Sequence, residues 1–293
     1  MFIQVAALTK RYGKLTALDR CSFDAARGEV LGLLGPNGSG KTTMLRLLLG
    51  FLHADSGRAS VDGLDCDRQS VEVHSRLTYL PGDPRLIRKL TGRETLKFFA
   101  GLHPASSAAQ AFRLAERMEL DVSRRVRQMS TGMRQKLALA IALAPEVPLV
   151  VLDEPTSNLD PTARENVLRM LREAKRAGKT VLFSSHVLSE VEEICDRVVI
   201  LSQGRVVETI RMSDLRLRHR ICAQLEGPLE SPEGELADDL KIEHHADGSL
   251  TILTGRPLQP LLGWLAAQPL TELRIEPDGL QSVYRQHHPA STL

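Results

Sequence analysis

The sequence predicts an α/β fold: a parallel-rich sheet, a helical subdomain inserted into it, and a small α+β domain following it. Three observations predict this. The runs EVLGLLG (29–35), PLVVLDE (148–154) and TVLFSSH, ending at His186, are apolar at consecutive positions, as parallel strands buried on both faces require. Helix-patterned stretches such as NVLRMLREAKRAG lie between runs and supply the crossovers. Each run also ends in residues capable of chemistry: Gly35 onward, Asp153 with Glu154, and His186. Open parallel sheets bind ligands beyond the carboxyl ends of their strands, so the three ends predict one shared site.

The first run opens into Gly35, Pro36, Asn37, Gly38, Ser39, Gly40, Lys41, Thr42 and Thr43, a match to GxxxxGK[ST] between a buried strand and the helix-like TMLRLLLGF. Glycines at this spacing let backbone N–H groups turn toward phosphate oxygens, and the helix N-terminus adds its positive dipole end. Lys41 reaches the outer phosphates, and the Thr42 hydroxyl suits Mg²⁺. The core is therefore that of a phosphate-loop (P-loop) NTPase. GTPases, kinases and motors share this loop, but no NKxD guanine-reading tetrapeptide is present.

The segment TYLPGDPRL (78–86) holds a glycine and an aspartate between two prolines, which makes it neither helix interior nor central strand. Beyond it, from about 85 to 145, TGRETLKFFAGLH, AAQAFRLAERMEL and RQKLALAIALA predict the inserted helical subdomain, stopped by Pro145. Within it MSTGMRQK places Ser130 and Gly132 at a helix start, a pattern that serves an anion site and equally an ordinary serine N-cap. In LVVLDE, Asp153 suits Mg²⁺ coordination and Glu154 suits the base for an attacking water. From about residue 215 the composition shifts. KIEHHADGSLTILTG reads as a hairpin with an Asp-Gly turn, LQPLLGWLAAQ as a helix, and TELRIEPDGLQSVYRQH closes the tail.

With 293 residues, 42% hydrophobic and 25% charged, the chain falls among soluble globular proteins with room for more than one domain. A net charge of +2 gives no reason to expect a nucleic-acid partner. No run approaches the roughly 18 apolar residues of a membrane span, and the N-terminus carries no signal-peptide pattern. Cys21, Cys66, Cys195 and Cys222 lack metal or disulfide spacing and read as free thiols of a cytoplasmic protein.

Taken in order, these motifs resemble the ATP-binding cassette (ABC) family over about residues 1–213, leaving 214–293 as an accessory domain. The family signature LSGGQ appears with Met129, Thr131 and Met133 in place of Leu, Gly and Gln, while Ser130 and Gly132, which the family sets on the γ-phosphate, are retained. By the same resemblance Tyr12 is the aromatic on which adenine stacks, SNLD, ending at Asp160, is the loop crossing the dimer interface, and His186 is the switch histidine. The resemblance implies ATP and Mg²⁺ as cofactors, Glu154 and His186 as catalytic residues, and Thr42 and Asp153 as metal ligands. It also implies a second nucleotide-binding subunit, in a homodimer that sandwiches two ATP molecules. A separate multispanning membrane subunit would place the chain peripherally on the cytoplasmic face.

The tail resembles that of the ATPases of ABC-2-type exporters, the drug-efflux group. The alternative is a soluble ABC ATPase acting on ribosomes, on DNA or in regulation. Against it, no sustained heptads lie between Lys41 and Ser130, and the chain carries one cassette. Where the family usually has a metal-reaching glutamine, this chain has Gly82. Either a water fills that place, or Asp83 turns in, or the site is slower, or the loop serves only as a hinge.

Overall fold

In the computed structural model, which describes residues 1–215, 218–232, 240–245, 247–255 and 258–287, the chain opens with two long strands. These are β1 (Ile3–Tyr12) and β2 (Leu15–Ala25), paired antiparallel. Gly13 turns the chain between them at φ 57°, a left-handed conformation that costs glycine no Cβ clash. Next come β3 (Val30–Leu34), α1 (Lys41–Leu48), β4 (Ser56–Val61), β5 (Leu64–Asp65), α2 (Ser70–His74) and β6 (Leu77–Leu80). β4 pairs antiparallel with β1 and β5 with β4, giving a sheet of order β2-β1-β4-β5. Sequence reasoning did not anticipate this sheet.

The segment predicted as helical forms α3 (Gly92–Leu102), α4 (Ala108–Arg117) and α5 (Thr131–Leu143). Thr91 starts α3 with a capping box: its side chain accepts from Glu94 N, and Glu94 accepts from Thr91 N. The chain then returns to the sheet through β7 (Leu149–Asp153), α6 (Pro161–Arg176), β8 (Thr180–Ser185), α7 (Leu188–Ile194), β9 (Arg197–Ser202) and β10 (Arg205–Arg211). α6 has Pro161 in its first turn, and Val167, Leu168, Met170 and Leu171 form its buried stripe.

The second sheet runs β10-β9-β3-β8-β7-β6, with β9, β3, β8, β7 and β6 paired in parallel. β3, β7 and β8 are buried at every position. Each fully buried side chain such as Leu31, Leu33, Leu182 or Phe183 contributes about 1.5–3 kcal/mol. Because β8 lies between β3 and β7, the three polar strand ends predicted from the sequence are neighbours in space.

The chain divides into two units, Met1–Thr209 and Ile210–Leu293. The second unit contains α8 (Met212–Leu215), β11 (His219–Leu225), β12 (Lys241–His244), β13 (Ser249–Thr254), α9 (Gln259–Ala267), β14 (Leu270–Pro277) and α10 (Leu280–His287). Its antiparallel sheet has the order β12-β13-β11-β14 around a core of Ile221, Leu250, Ile252, Leu261 and Leu265. β12 and β13 form the expected hairpin, with Gly248 at φ 81°. Ala246 of that turn and Arg216 and Leu217 of the stretch LRLRHR lie outside the described residues. Among the described residues, no helix is long and apolar enough to cross a membrane.

Candidate functional site

The residues after β3 wrap a tight loop onto the start of α1. Gly38 and Gly40 hold φ of 82° and 107°, which L side chains rarely adopt. A Cβ on Gly35 would stand 2.4 Å from Leu201 O and 2.5 Å from Ser39 Oγ, so the loop closes only without one. Ser39 Oγ is buried with no hydrogen-bond partner among the described residues. Lys41 is also buried: its Nζ donates to Gly35 O at 2.6 Å and Pro36 O at 3.1 Å, and lies 3.8 Å from Glu154 Oε1. Burial lowers the Lys41 pKa from its usual value, opposed by the carboxylates of Glu154 and Asp153.

β7 delivers the acids. Thr42 Oγ1 donates to Asp153 Oδ2 at 2.9 Å, and Ser184 Oγ donates to Asp153 Oδ1 at 2.6 Å. Glu154, one residue past the strand, holds φ 48°, a strained conformation for a glutamate costing on the order of 1–3 kcal/mol. Its peptide N–H donates to Ser184 Oγ at 3.0 Å, and its Oε1 lies 3.3 Å from His186 Nδ1. The His186 side chain is 51% exposed, so it is available to a ligand rather than filling a core position.

Tyr12, at the end of β1, lines an open cleft of about 510 Å³ with Thr16, Asn37, Lys41, Thr42 and Glu154. Gly38, Gly40 and Thr43 line it too. His186 and Glu154 line a second cleft together with Ser157 and Asn158. Ser130, Gly132 and Asp160 line neither cleft. Ser130 caps α5 by accepting from Met133 N at 3.2 Å, and Asp160 caps α6 by accepting from Ala163 N at 2.8 Å. That backbone bond is the main reason the Asp160 carboxyl sits below its usual pKa. Gly132 abuts the SNLD loop, since a Cβ there would lie 2.9 Å from Asn158 O.

Gly82 lies beside the acid: a Cβ on it would come 3.5 Å from Asp153 O and 3.7 Å from Asp153 Oδ2. The Asp83 side chain is 89% exposed, and its Oδ2 lies 3.9 Å from Arg85 Nε.

Sequence reasoning missed several residues. Ser184 was legible only as an unexplained polar end to an apolar run. Gln135 donates to Pro155 O at 3.0 Å and ties α5 to the segment after β7. Glu190, buried in α7, accepts from Thr156 Oγ1 at 2.8 Å and Ser185 Oγ at 3.0 Å, and pairs with Arg164 at 3.2 Å. Gln203 and Gly204 line the first cleft, and their turn gave no signal.

The donors fit a nucleotide with a hard divalent cation. The glycine-built cradle, the unpartnered Ser39 hydroxyl and Lys41 suit phosphate oxygens. Thr42 and Asp153 offer oxygen ligands to Mg²⁺, whose remaining positions are commonly filled by phosphates and water.

Fold and site together define a P-loop nucleotide-binding protein. The family pattern described as ABC transporter matches residues 18–157. The chain is 34% identical over 291 residues to the Nod factor export ATP-binding protein I of Ralstonia nicotianae, covering 97% of this chain and 89% of that one. It is 41% identical over 210 residues to the daunorubicin resistance ATP-binding protein DrrA3 of Streptomyces coeruleorubidus, covering 70% of this chain and 66% of that one. A solved structure titled "Structure of ATP binding subunit of ABC transporter" superposes with a TM-score of 0.67 at 31% identity, covering 74% of this chain and 92% of the other. The chain belongs to the family of ABC transporter ATP-binding proteins. It spans 59%, 67%, 66% and 69% of the length of four curated relatives it matches.

Proposed function

We propose that this chain is the ATP-binding and ATP-hydrolysing subunit of an exporter, acting as a pair of cassettes on a separate membrane-spanning subunit. The observation that carries the reading is the convergence of Lys41, Thr42, Asp153, Glu154 and His186 at adjacent strand ends. Relatives named for Nod factor export and daunorubicin resistance support the export role. The division into a cassette (1–213) and an accessory domain (214–293) belongs to the same reading.

In this mechanism the loop Gly35–Thr43 holds the phosphates through backbone N–H groups, and Lys41 leaves its carbonyl partners to neutralise the outer phosphate. Thr42 and Asp153 would hold Mg²⁺, which when bound neutralises charge building on the phosphate oxygens. Glu154 takes the proton of the attacking water, with His186 at its carboxylate to orient the reacting groups. Tyr12 supplies an aromatic face for the base. Ser130, Gly132 and Asp160 act toward the second copy, across the dimer. Binding energy moves the partner only by the difference in ATP affinity between open and closed pairs.

The test is affinity purification of the native protein from membranes, with MgATP turnover measured on the isolate. Recovery with a multispanning protein and ATP hydrolysis is expected. Consistent recovery with ribosomes or DNA would overturn the export reading.

A further inference from the structure

We propose that Ser184 is a positioning residue of this site: it selects the oxygen that Asp153 offers to a divalent cation, and it pins the peptide that carries Glu154. The inference rests on the nucleotide-site reading above and goes beyond it by adding a residue that the phosphate loop, the acids and the histidine do not include.

Ser184 stands opposite Asp153 in the parallel register of β7 and β8. Its position is wholly buried, and the preceding residues of β8, Val181, Leu182 and Phe183, are wholly buried and apolar. A hydroxyl at such a position costs free energy unless its donor or acceptor capacity is used. Both are used here, and both by the acids of the site. A serine has one hydroxyl proton, and it goes to Asp153 Oδ1 at 2.6 Å, the short distance of a charge-assisted bond. The lone pairs then face Glu154 N, which donates to Ser184 Oγ at 3.0 Å and also to Ser184 O at 3.2 Å.

Two consequences follow from this arrangement. With Oδ1 committed to Ser184, Oδ2 is the oxygen that meets Thr42 Oγ1 at 2.9 Å, so the two candidate metal-binding oxygens face each other. The second consequence concerns the base. Glu154 sits at φ 48°, a conformation that needs outside support, and its N–H is held by Ser184, through hydroxyl and carbonyl. The direction of the Glu154 carboxylate, 3.8 Å from Lys41 and 3.3 Å from His186, follows from that anchored peptide.

The test compares full-length wild type with Ser184→Ala, Ser184→Thr and Ser184→Cys. Mn²⁺ affinity is read by electron paramagnetic resonance in the presence of a non-hydrolysable ATP analogue, and fluorescent ATP binding is read in EDTA. Turnover is read as kcat and KM, and folding by thermal melting.

Losing a hydrogen bond to a charged group should weaken Mn²⁺ binding in Ser184→Ala by about tenfold or more. Metal-free nucleotide affinity should stay within about twofold, since the loop contacts are untouched. kcat should fall more than KM rises, and Ser184→Thr, which keeps the hydroxyl, should recover Mn²⁺ affinity. Ser184→Cys fills nearly the same space with a poorer donor and is expected to fall between, which keeps the test decisive if the alanine variant does not fold. Wild-type Mn²⁺ affinity and kcat in a folded Ala or Cys variant would overturn the proposal. Failure of the wild-type protein to bind nucleotide or Mn²⁺ would instead overturn the nucleotide-site reading itself.

Discussion

Nδ1 of His186 lies 3.3 Å from Oε1 of Glu154. The same carboxylate oxygen is 3.8 Å from Lys41 Nζ, so one acid stands between the residue suited to the outer phosphate and the residue suited to orienting water. An amide at this position keeps the shape but cannot take a proton. Glu154→Gln should therefore bind fluorescent ATP as wild type does and lose about 10²- to 10⁴-fold in turnover, the usual worth of general base catalysis. Phosphate release under single-turnover conditions measures it. Wild-type release rates would place the base elsewhere.

Glu190 is the least exposed acid near the site, with its side chain 2% exposed. It gathers Thr156 from the segment after β7, Ser185 from the residue before His186, and Arg164 from α6. Glu190→Ala leaves two hydroxyls without their common acceptor and the Arg164 guanidinium without its counter-charge. A loss of about 2–3 kcal/mol in stability is expected, typical of bonds to a charged acceptor, read as a lower urea midpoint at unchanged m. Because Ser185 Oγ also receives Val187 N, across His186, turnover should fall further than stability alone explains.

The difference between what was and was not legible in the sequence has a physical cause. β3, β7 and β8 could be read because a parallel strand covered on both faces is apolar at consecutive positions. The antiparallel β1 could not, because register shifts between Val5 and Leu8 and between Leu8 and Lys10 break its alternation. The loop Gly35–Thr43 announced itself because its chemistry is local in sequence. Ser184 acts through Asp153, and Glu190 ties its own segment to Thr156 and Arg164, partners distant in sequence that only the fold brings near. In SEVEEI, Glu190 looks like its solvated neighbours, and only the fold separates it from Glu193, whose side chain is 42% exposed.

Gly132 offers a test of how the start of α5 is seated. A Cβ there would lie 2.9 Å from the Asn158 carbonyl, a backbone atom that can yield only if the SNLD loop moves. Asn158 already holds φ 60°, so that loop has little slack. Gly132→Ala should leave ATP binding to the isolated chain unchanged, because Gly132 does not line the cleft with Lys41. Steady-state hydrolysis should drop about tenfold or more, as small misplacements of catalytic groups do. Equal hydrolysis would show that the loop accommodates a methyl group at no functional cost.

The corner TYLPGDPRL supplies the last comparison. Asp83 turns outward, 89% exposed and beside Arg85, while a Cβ on Gly82 would meet Asp153 at ordinary contact distance. The geometry therefore gives different expectations for a substitution at each of these two positions. Asp83→Ala should leave both the ATPase rate and its Mg²⁺ dependence unchanged, since an exposed carboxylate paired loosely with an arginine contributes little. Gly82→Gln places an amide oxygen within reach of the Thr42 and Asp153 pair and should lower the Mg²⁺ concentration for half-maximal turnover. A titration of ATPase activity against Mg²⁺ on the two variants decides between them. A shifted Mg²⁺ requirement in Asp83→Ala would mean that the aspartate turns inward during turnover. An unshifted one in Gly82→Gln would mean that the corner serves as a hinge rather than as part of the metal site.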